Sequence, residues 1–368
     1  MKLIRQHILL KVLSLNSISV AVNFLFGIIS IKIISVYLGT SGMALLGSFR
    51  NFTSIAKSIS TVGISTSIIK LFVENKKDKN ELDVIFSTFF WFFLFVSVLL
   101  AIFGIFLSEG ISKYLFFTNI YIVPIQLFSI SLPLIVLNVF WMAIFNGLEA
   151  FKKIIFIQII SNIVIFSFST ALIIFYNIYG ALLAIAFSEL IMLLITYLFV
   201  KKDFSAFSFR LKKTISNKYI NILKNFALMG VLSGLLVPLI SILIRNKIID
   251  YNGIEEAGIW DATLRISSYY MMFFNSGLTL YYLPKLSSLN TDLEFKNELR
   301  SYFKIFVPFF ALMIILIYVL KSYLIQFIFT ADFEEINSLL KWQLLGDFFR
   351  VMTLAFGYQI VIKTMTKL

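Results

Sequence analysis

Lys79-Asn80-Glu81-Leu82 returns as Lys296-Asn297-Glu298-Leu299, each time among long apolar stretches. At an offset of about 215 residues, Tyr37 and Gly39 answer to Tyr251 and Gly253, and Arg50 answers to Arg265. Gly63 and Gly277, and Lys70 and Lys285, keep the same spacing. A period this long exceeds that of solenoid repeats and predicts two whole helix bundles related by duplication. Leu368 falls opposite Lys153, part-way through the first copy. The second bundle is therefore expected to hold four helices of six.

Composition agrees with a membrane location. Hydrophobic residues make up 60% and charged residues 14% of 368, where a soluble domain carries about a quarter charged. Mean hydropathy is +0.94. The net charge of +13 would suit a nucleic-acid partner if it lay on a soluble surface. Here the bases sit in short loops between apolar runs, so nucleic acid is excluded as a partner and the bilayer is implied. There is no cysteine, which removes disulfides, thiolate metal sites and cysteine nucleophiles. The one histidine, His7, lies in the basic N-terminal segment and reads as solvated.

The pattern predicts an all-α polytopic membrane protein with ten transmembrane helices. They cover roughly 12–37, 44–72, 84–107, 121–147, 154–176, 180–200, 223–248, 257–284, 303–329 and 337–362. The first run lacks a small-residue cleavage site and reads as a span, not a signal peptide. Twenty loop bases fall on one side, against Lys113, Arg245 and Lys247 on the other. That imbalance puts both termini in the cytoplasm. The longest loop divides the chain into two pseudo-symmetric lobes: residues 1–205 with six helices, a cytoplasmic linker at 206–222, and residues 223–368 with four. Parallel copies of this kind place a cargo site between the lobes.

Polar residues inside the spans point to that site. Arg50, Ser54, Lys57, Ser58, Thr61 and Ser65 recur at three- and four-residue steps, and so share one helical face of span two. Asp261, Arg265, Ser268, Asn275 and Thr279 do the same in span eight, the repeat-equivalent of span two. Span ten adds Gln343, Asp347 and Arg350, and span one adds Asn16, Asn23 and Ser30. A central Arg or Lys costs about 2.5–3.5 kcal/mol on insertion scales, so these bases are expected to face a water-filled cavity. Arg50 and Lys57 have no acid on their own face. Asp261, Arg265, Asp347 and Arg350 read as cavity residues for the diphosphate and sugars, or, by the spacing of Asp261 with Arg265 and of Asp347 with Arg350, as structural ion pairs. Lys70, Lys285, Lys304 and Lys363 lie near span ends and read as snorkelling. Glu189, alone in span six, reads as a coupling acid or as a hydrogen-bonded structural one. Trp260 and Trp342 read as packing or interface anchors. The excess of bases suits an anion, and the planar guanidinium suits a phosphate or diphosphate.

Signatures of chemistry are missing. There is no G-x-x-x-x-G-K-[ST] loop, no H-E-x-x-H and no large acidic loop of the kind a membrane polymerase would use. No enzyme activity and no cofactor are expected.

Four stretches carry a family resemblance: Tyr37-Leu38-Gly39 through Gly47-Ser48-Phe49-Arg50; Ala257-Gly258-Ile259-Trp260; Tyr282-Leu283-Pro284-Lys285-Leu286-Ser287; and Trp342-Gln343-Leu344-Leu345-Gly346-Asp347 with Phe356-Gly357-Tyr358. They resemble the Wzx-type flippases of lipid-linked oligosaccharides. That group includes the translocases of O-antigen and enterobacterial common antigen, and belongs to the multidrug/oligosaccharidyl-lipid/polysaccharide exporter superfamily. The resemblance implies a cytoplasmic-membrane carrier of undecaprenyl-diphosphate-linked oligosaccharide working by alternating access. It also implies twelve helices, and neighbours such as a polysaccharide polymerase and a chain-length regulator. Arg50 falls on the family's Phe-Arg position, and Arg245, Asp347 and Lys363 have counterparts, whereas Arg265 rests on the internal repeat alone. A multidrug or small-solute exporter of the same fold is the alternative, with a polysaccharide polymerase less favoured.

Overall fold

A computed structural model describes residues 2–61, 68, 71, 75, 78–203, 211–212, 215–278, 282, 285–286, 289 and 291–366. Gly63, Ser65, Lys70, Arg210 and Thr279 lie outside the described residues, as do the side chains of Asn16 and Lys363. The described backbone is almost wholly helical. The helices are α1 (Lys2–Thr61), α2 (Lys79–Phe106), α3 (Ser108–Phe116), α4 (Ile122–Gly147), α5 (Phe151–Asp203), α6 (Asn217–Asn252), α7 (Ile254–Gly277), α8 (Asp292–Ile328) and α9 (Ile336–Thr366), with a 3-10 turn at Ala331–Phe333.

The two longest helices are each two spans joined at a sharp break. In α1 the break is Gly39, at φ 63° and ψ −164°; in α5 it is Asn177, at φ 50° and ψ −132°. Counting both halves of α1 and α5 gives ten helical segments matching the ten predicted spans. α3 is an addition: a nine-residue amphipathic helix where a loop was expected. α6 also starts earlier than predicted, at Asn217.

Gly253, the repeat-equivalent of Gly39, separates α6 from α7 at φ 97° and ψ 167°. Both glycines occupy a positive-φ, extended-ψ region that is essentially closed to residues with a Cβ. Two positions paired by the sequence repeat thus share a backbone conformation.

By length and composition, five helices can cross a membrane: Ser19–Thr61, Lys79–Phe106, Ile122–Gly147, Phe151–Lys201 and Leu293–Ile328. At 1.5 Å per residue the first and fourth are long enough for two crossings each. α6, α7 and α9 each bury one charged residue, Arg245, Asp261 and Asp347 respectively. Large apolar side chains such as Phe95, Ile102, Phe309, Leu312 and Val319 stay exposed, as lipid-facing residues do.

α1 organises the packing. It lies against α5 on one side and against α6 and α7 on the other, while α4 joins α5 to α2, and α9 joins α8 to α7. Ile31, Met43, Leu46 and Phe49 of α1 enter one core with Phe128 and Leu132 of α4, Ala262 and Phe274 of α7, and Leu344 of α9. Chain direction is fixed at helix starts. Asp78 accepts from the Asn80 and Glu81 amides at 3.0 and 3.1 Å, and Thr291 forms a reciprocal capping box with Glu294. The repeated glutamates are both engaged: Glu298 pairs with Lys285 at 2.6 Å, and Glu81 accepts from Lys218 at 3.2 Å and from Tyr219. Lys285, expected to snorkel, is therefore held by an acid of α8. The described part of the linker is held on α2, where Ser87 and Thr88 accept from the Lys212 and Ser216 amides at 2.8 and 3.1 Å.

Candidate functional site

The second half of α1 presents Arg50 to a cavity of about 160 Å³. The walls belong to α1 and α5: Ser30, Ile34 and Leu46 from one, and Ser169, Thr170, Ile173, Ala184 and Ser188 from the other. The Arg50 Nη1 is sealed from solvent and has no hydrogen-bond partner among the described residues. A buried donor left unmade costs about 1–3 kcal/mol, more when charged, so this nitrogen calls for an acceptor. Ser169 and Ser188 donate to carbonyls of their own helix, so their lone pairs, not their protons, are free toward the cavity. Arg50 is thus the strong donor on this wall, and the chemistry it suits is an anion.

Seven residues on, Lys57 forms an ion pair with Glu189 of α5, next to the cavity-lining Ser188. Lys57 was expected to lack a structural partner; its acid comes from another helix, which one helical face could not reveal. The lysine side chain is 36% and the glutamate 12% exposed, so the pair is solvent-screened on one flank only.

Asp261 does not pair with Arg265. Its carboxylate takes both forks of Arg245 from α6, Nε to Oδ2 at 2.6 Å and Nη2 to Oδ1 at 2.5 Å. Arg245 is 1% exposed, where a loop position was expected. Its Nη1 reaches the Ser48 hydroxyl at 3.5 Å, and its guanidinium lies 5.6 Å from the Trp260 ring centre. Asn51, oriented with its carbonyl toward the guanidinium, accepts from Nη1 and Nη2 at 3.2 and 3.1 Å. Opposite stands Gly47 of α1, where a Cβ would overlap the Asp261 carboxylate. Trp260 is thus committed to Arg245, as a packing residue.

Asp347 does not pair with Arg350 either. It accepts from Ser267 at 2.5 Å, from Gln343 at 3.0 Å and from the Tyr270 hydroxyl, and is 2% exposed, while Arg350 is exposed. The carboxylate is a hydrogen-bond hub that ties α9 to α7. Arg265 is half-buried beside the Tyr269 hydroxyl, and Tyr269 packs on Gly27 of α1.

The structure therefore brings together Arg50, Lys57 and Glu189 on the α1–α5 face. Asp261 and Asp347 are drawn into separate buried networks. Arg265 is not among the residues lining the Arg50 cavity, although a single cavity between the two arginines was expected. Asn51, Ser267 and Tyr270 were missed, and Arg245 was singled out only as a base between spans and as a position with a family counterpart. Arg245 alone left a trace in the sequence, as an arginine with apolar residues Ile242, Leu243 and Ile244 directly before it.

This is an all-α, multi-pass membrane fold, and it is shared with solved transporters of the MOP superfamily. An inward-facing multidrug resistance MATE transporter matches with a TM-score of 0.66 at 14% identity, over 94% of this chain and 82% of that one. An outward-facing one matches with the same TM-score at 15% identity, over 96% and 81%. A MOP-superfamily transporter from Pyrococcus furiosus, described by a binding pocket of reverse polarity, gives 0.59 at 14% identity, over 94% and 83%. The chain belongs to the polysaccharide biosynthesis protein family, whose pattern matches residues 9–290. It is also similar to the lipid III flippases of Escherichia coli K12 and Shigella flexneri, each 23% identical over 348 residues, spanning 92% of this chain and 81% of theirs.

Proposed function

We propose that the protein is a secondary-type flippase that carries a lipid-linked oligosaccharide across the cytoplasmic membrane by alternating access, with both termini cytoplasmic. The carrier lipid is undecaprenyl diphosphate, and the cargo is a repeat unit of the O-antigen or enterobacterial common antigen type. The observation that carries this reading is Arg50, a residue that lines a cavity and keeps one buried guanidinium nitrogen without a partner among the described residues. Kinship with the lipid III flippases supplies the cargo class. In this reading Arg50 and Lys57 receive the diphosphate, Glu189 releases Lys57 as the cargo arrives, and Arg265 meets it from the opposite lobe. The lobes comprise residues 1–205 and 223–368. The polyprenyl chain stays in lipid while the sugars pass through the interior.

A cationic-drug exporter is less well supported, since Glu189, Asp261 and Asp347 all have partners already. The reading is tested by Arg50→Ala and Arg265→Ala in a flippase-null strain. Export of surface polysaccharide should fall at least tenfold at matched protein levels, equivalent to losing one charge-assisted contact of about 1.4 kcal/mol or more. Unchanged export would remove both arginines from the cargo path.

A further inference from the structure

The charges of Arg245 and Asp261 are spent on each other, yet they sit at the junction of three helices. Beside them, α1 makes its closest approaches to the second half of the chain. A Cβ at Gly47 would strike the carboxylate, and one at Gly258 of α7 would strike the Thr40 carbonyl. Further along the same end of α1, Lys32 donates to the Phe329 carbonyl at the end of α8 at 3.0 Å, and Ser35 accepts from the Thr330 amide at 2.8 Å. All these contacts flank the Gly39 break, and all join residues 1–61 to α6–α8.

We propose that the Arg245–Asp261 pair, gripped by Ser48 and Asn51 of α1, is a reversible latch that closes this end of the transporter between α1 and the α6–α7 pair. The inference rests on the alternating-access reading. A seam that must reopen cannot be sealed too well. Apolar side chains of similar size would favour closure outright, because they gain from leaving water. Closing strips hydration from two charges that already attract each other within the α6–α7 pair, and only the bonds to Ser48 and Asn51 and the stronger attraction in a drier setting offset that loss. Opening returns the water to both groups. A buried pair therefore closes the seam tightly in geometry but weakly in free energy, which is what a two-state element needs. The two glycines let the backbones meet, and Asn51 and Ser48 make the fit depend on α1.

The chain's lack of cysteine allows a direct test. A single Thr40→Cys reporter is introduced, and its labelling by a membrane-impermeant maleimide is followed in whole cells and in inverted vesicles. With the native pair the reporter should label slowly from one side. Asp261→Asn leaves Arg245 buried without a counter-charge and should speed labelling about tenfold, a shift set by differential stability of the two states. Arg245→Met combined with Asp261→Leu should slow it about tenfold while the protein still reaches the membrane in normal amount. Asn51→Ala, which leaves the pair intact, should accelerate it as well and serves if Asp261→Asn fails to insert. Equal rates in all variants would overturn the latch, as would rapid labelling of the apolar pair. The readout needs no cargo. Flat labelling with Arg50-dependent export removes the latch alone, whereas latch-dependent labelling with Arg50-independent export removes the cargo assignment alone.

Discussion

Asp347 shows what a single side chain does here. Three donors from two helices converge on its carboxylate, so replacing it strands Ser267, Tyr270 and Gln343 together. Two of the three bonds, from Ser267 and Tyr270, join helices, and such bonds in a bilayer average about 0.6 kcal/mol each, about 1 kcal/mol together. Asp347→Ala should lower the thermal unfolding temperature of the detergent-solubilised protein accordingly, with Asp347→Asn losing less. Equal stability of the alanine variant would show that water replaces the network. The position of Asp347 on an inward face was legible from its spacing to Gln343. Its partners were not, because Ser267 and Tyr270 lie about 80 residues earlier, and no periodicity within one helix reports a neighbour on another. The same blindness paired Asp261 with Arg265 when the real partner was Arg245, sixteen residues upstream on α6.

At the scale of the element, helix location was almost fully legible and helix termination was not. Apolar length alone locates ten membrane segments, since a bilayer demands about 20 residues of continuous helix. Nothing in hydropathy says that α1 and α5 pass through a break of one residue without a loop, or that α3 lies as a short helix between α2 and α4. The breaks depend on backbone dihedrals, for which only glycine and asparagine leave a hint. Gly39 has open space where a Cβ would go, so any penalty for substitution there comes from φ and ψ, not from collision. The same is true of Gly253. Gly39→Ala and Gly253→Ala should therefore each cost about 1–3 kcal/mol, and by similar amounts, if the two positions are structural equivalents. Thermal stability measured side by side checks this; a loss at one glycine only would break the equivalence. Gly47→Ala differs in kind, because its new Cβ meets the Asp261 carboxylate.

Over the whole molecule the repeat predicts two lobes, and α1 is the helix on which both proposed halves pack. It packs on α5 of its own half and on α6 and α7 of the other, so cutting the covalent link should not part the two. Fragments 1–205 and 206–368, co-expressed with an affinity tag on one only, should be purified together from detergent. Recovery of the tagged fragment alone would mean that the proposed division cuts through a cooperative unit. The candidate site was legible as a set of basic residues but not as a place: the expected cavity spans both copies, whereas the Arg50 cavity is walled by α1 and α5. That ownership has a consequence for biosynthesis. Every residue lining the Arg50 cavity lies at or before Ser188, so its walls are encoded and emerge ahead of Arg245 and Asp261. In the proposed reading, the anion pocket therefore precedes along the chain the pair that would shut it.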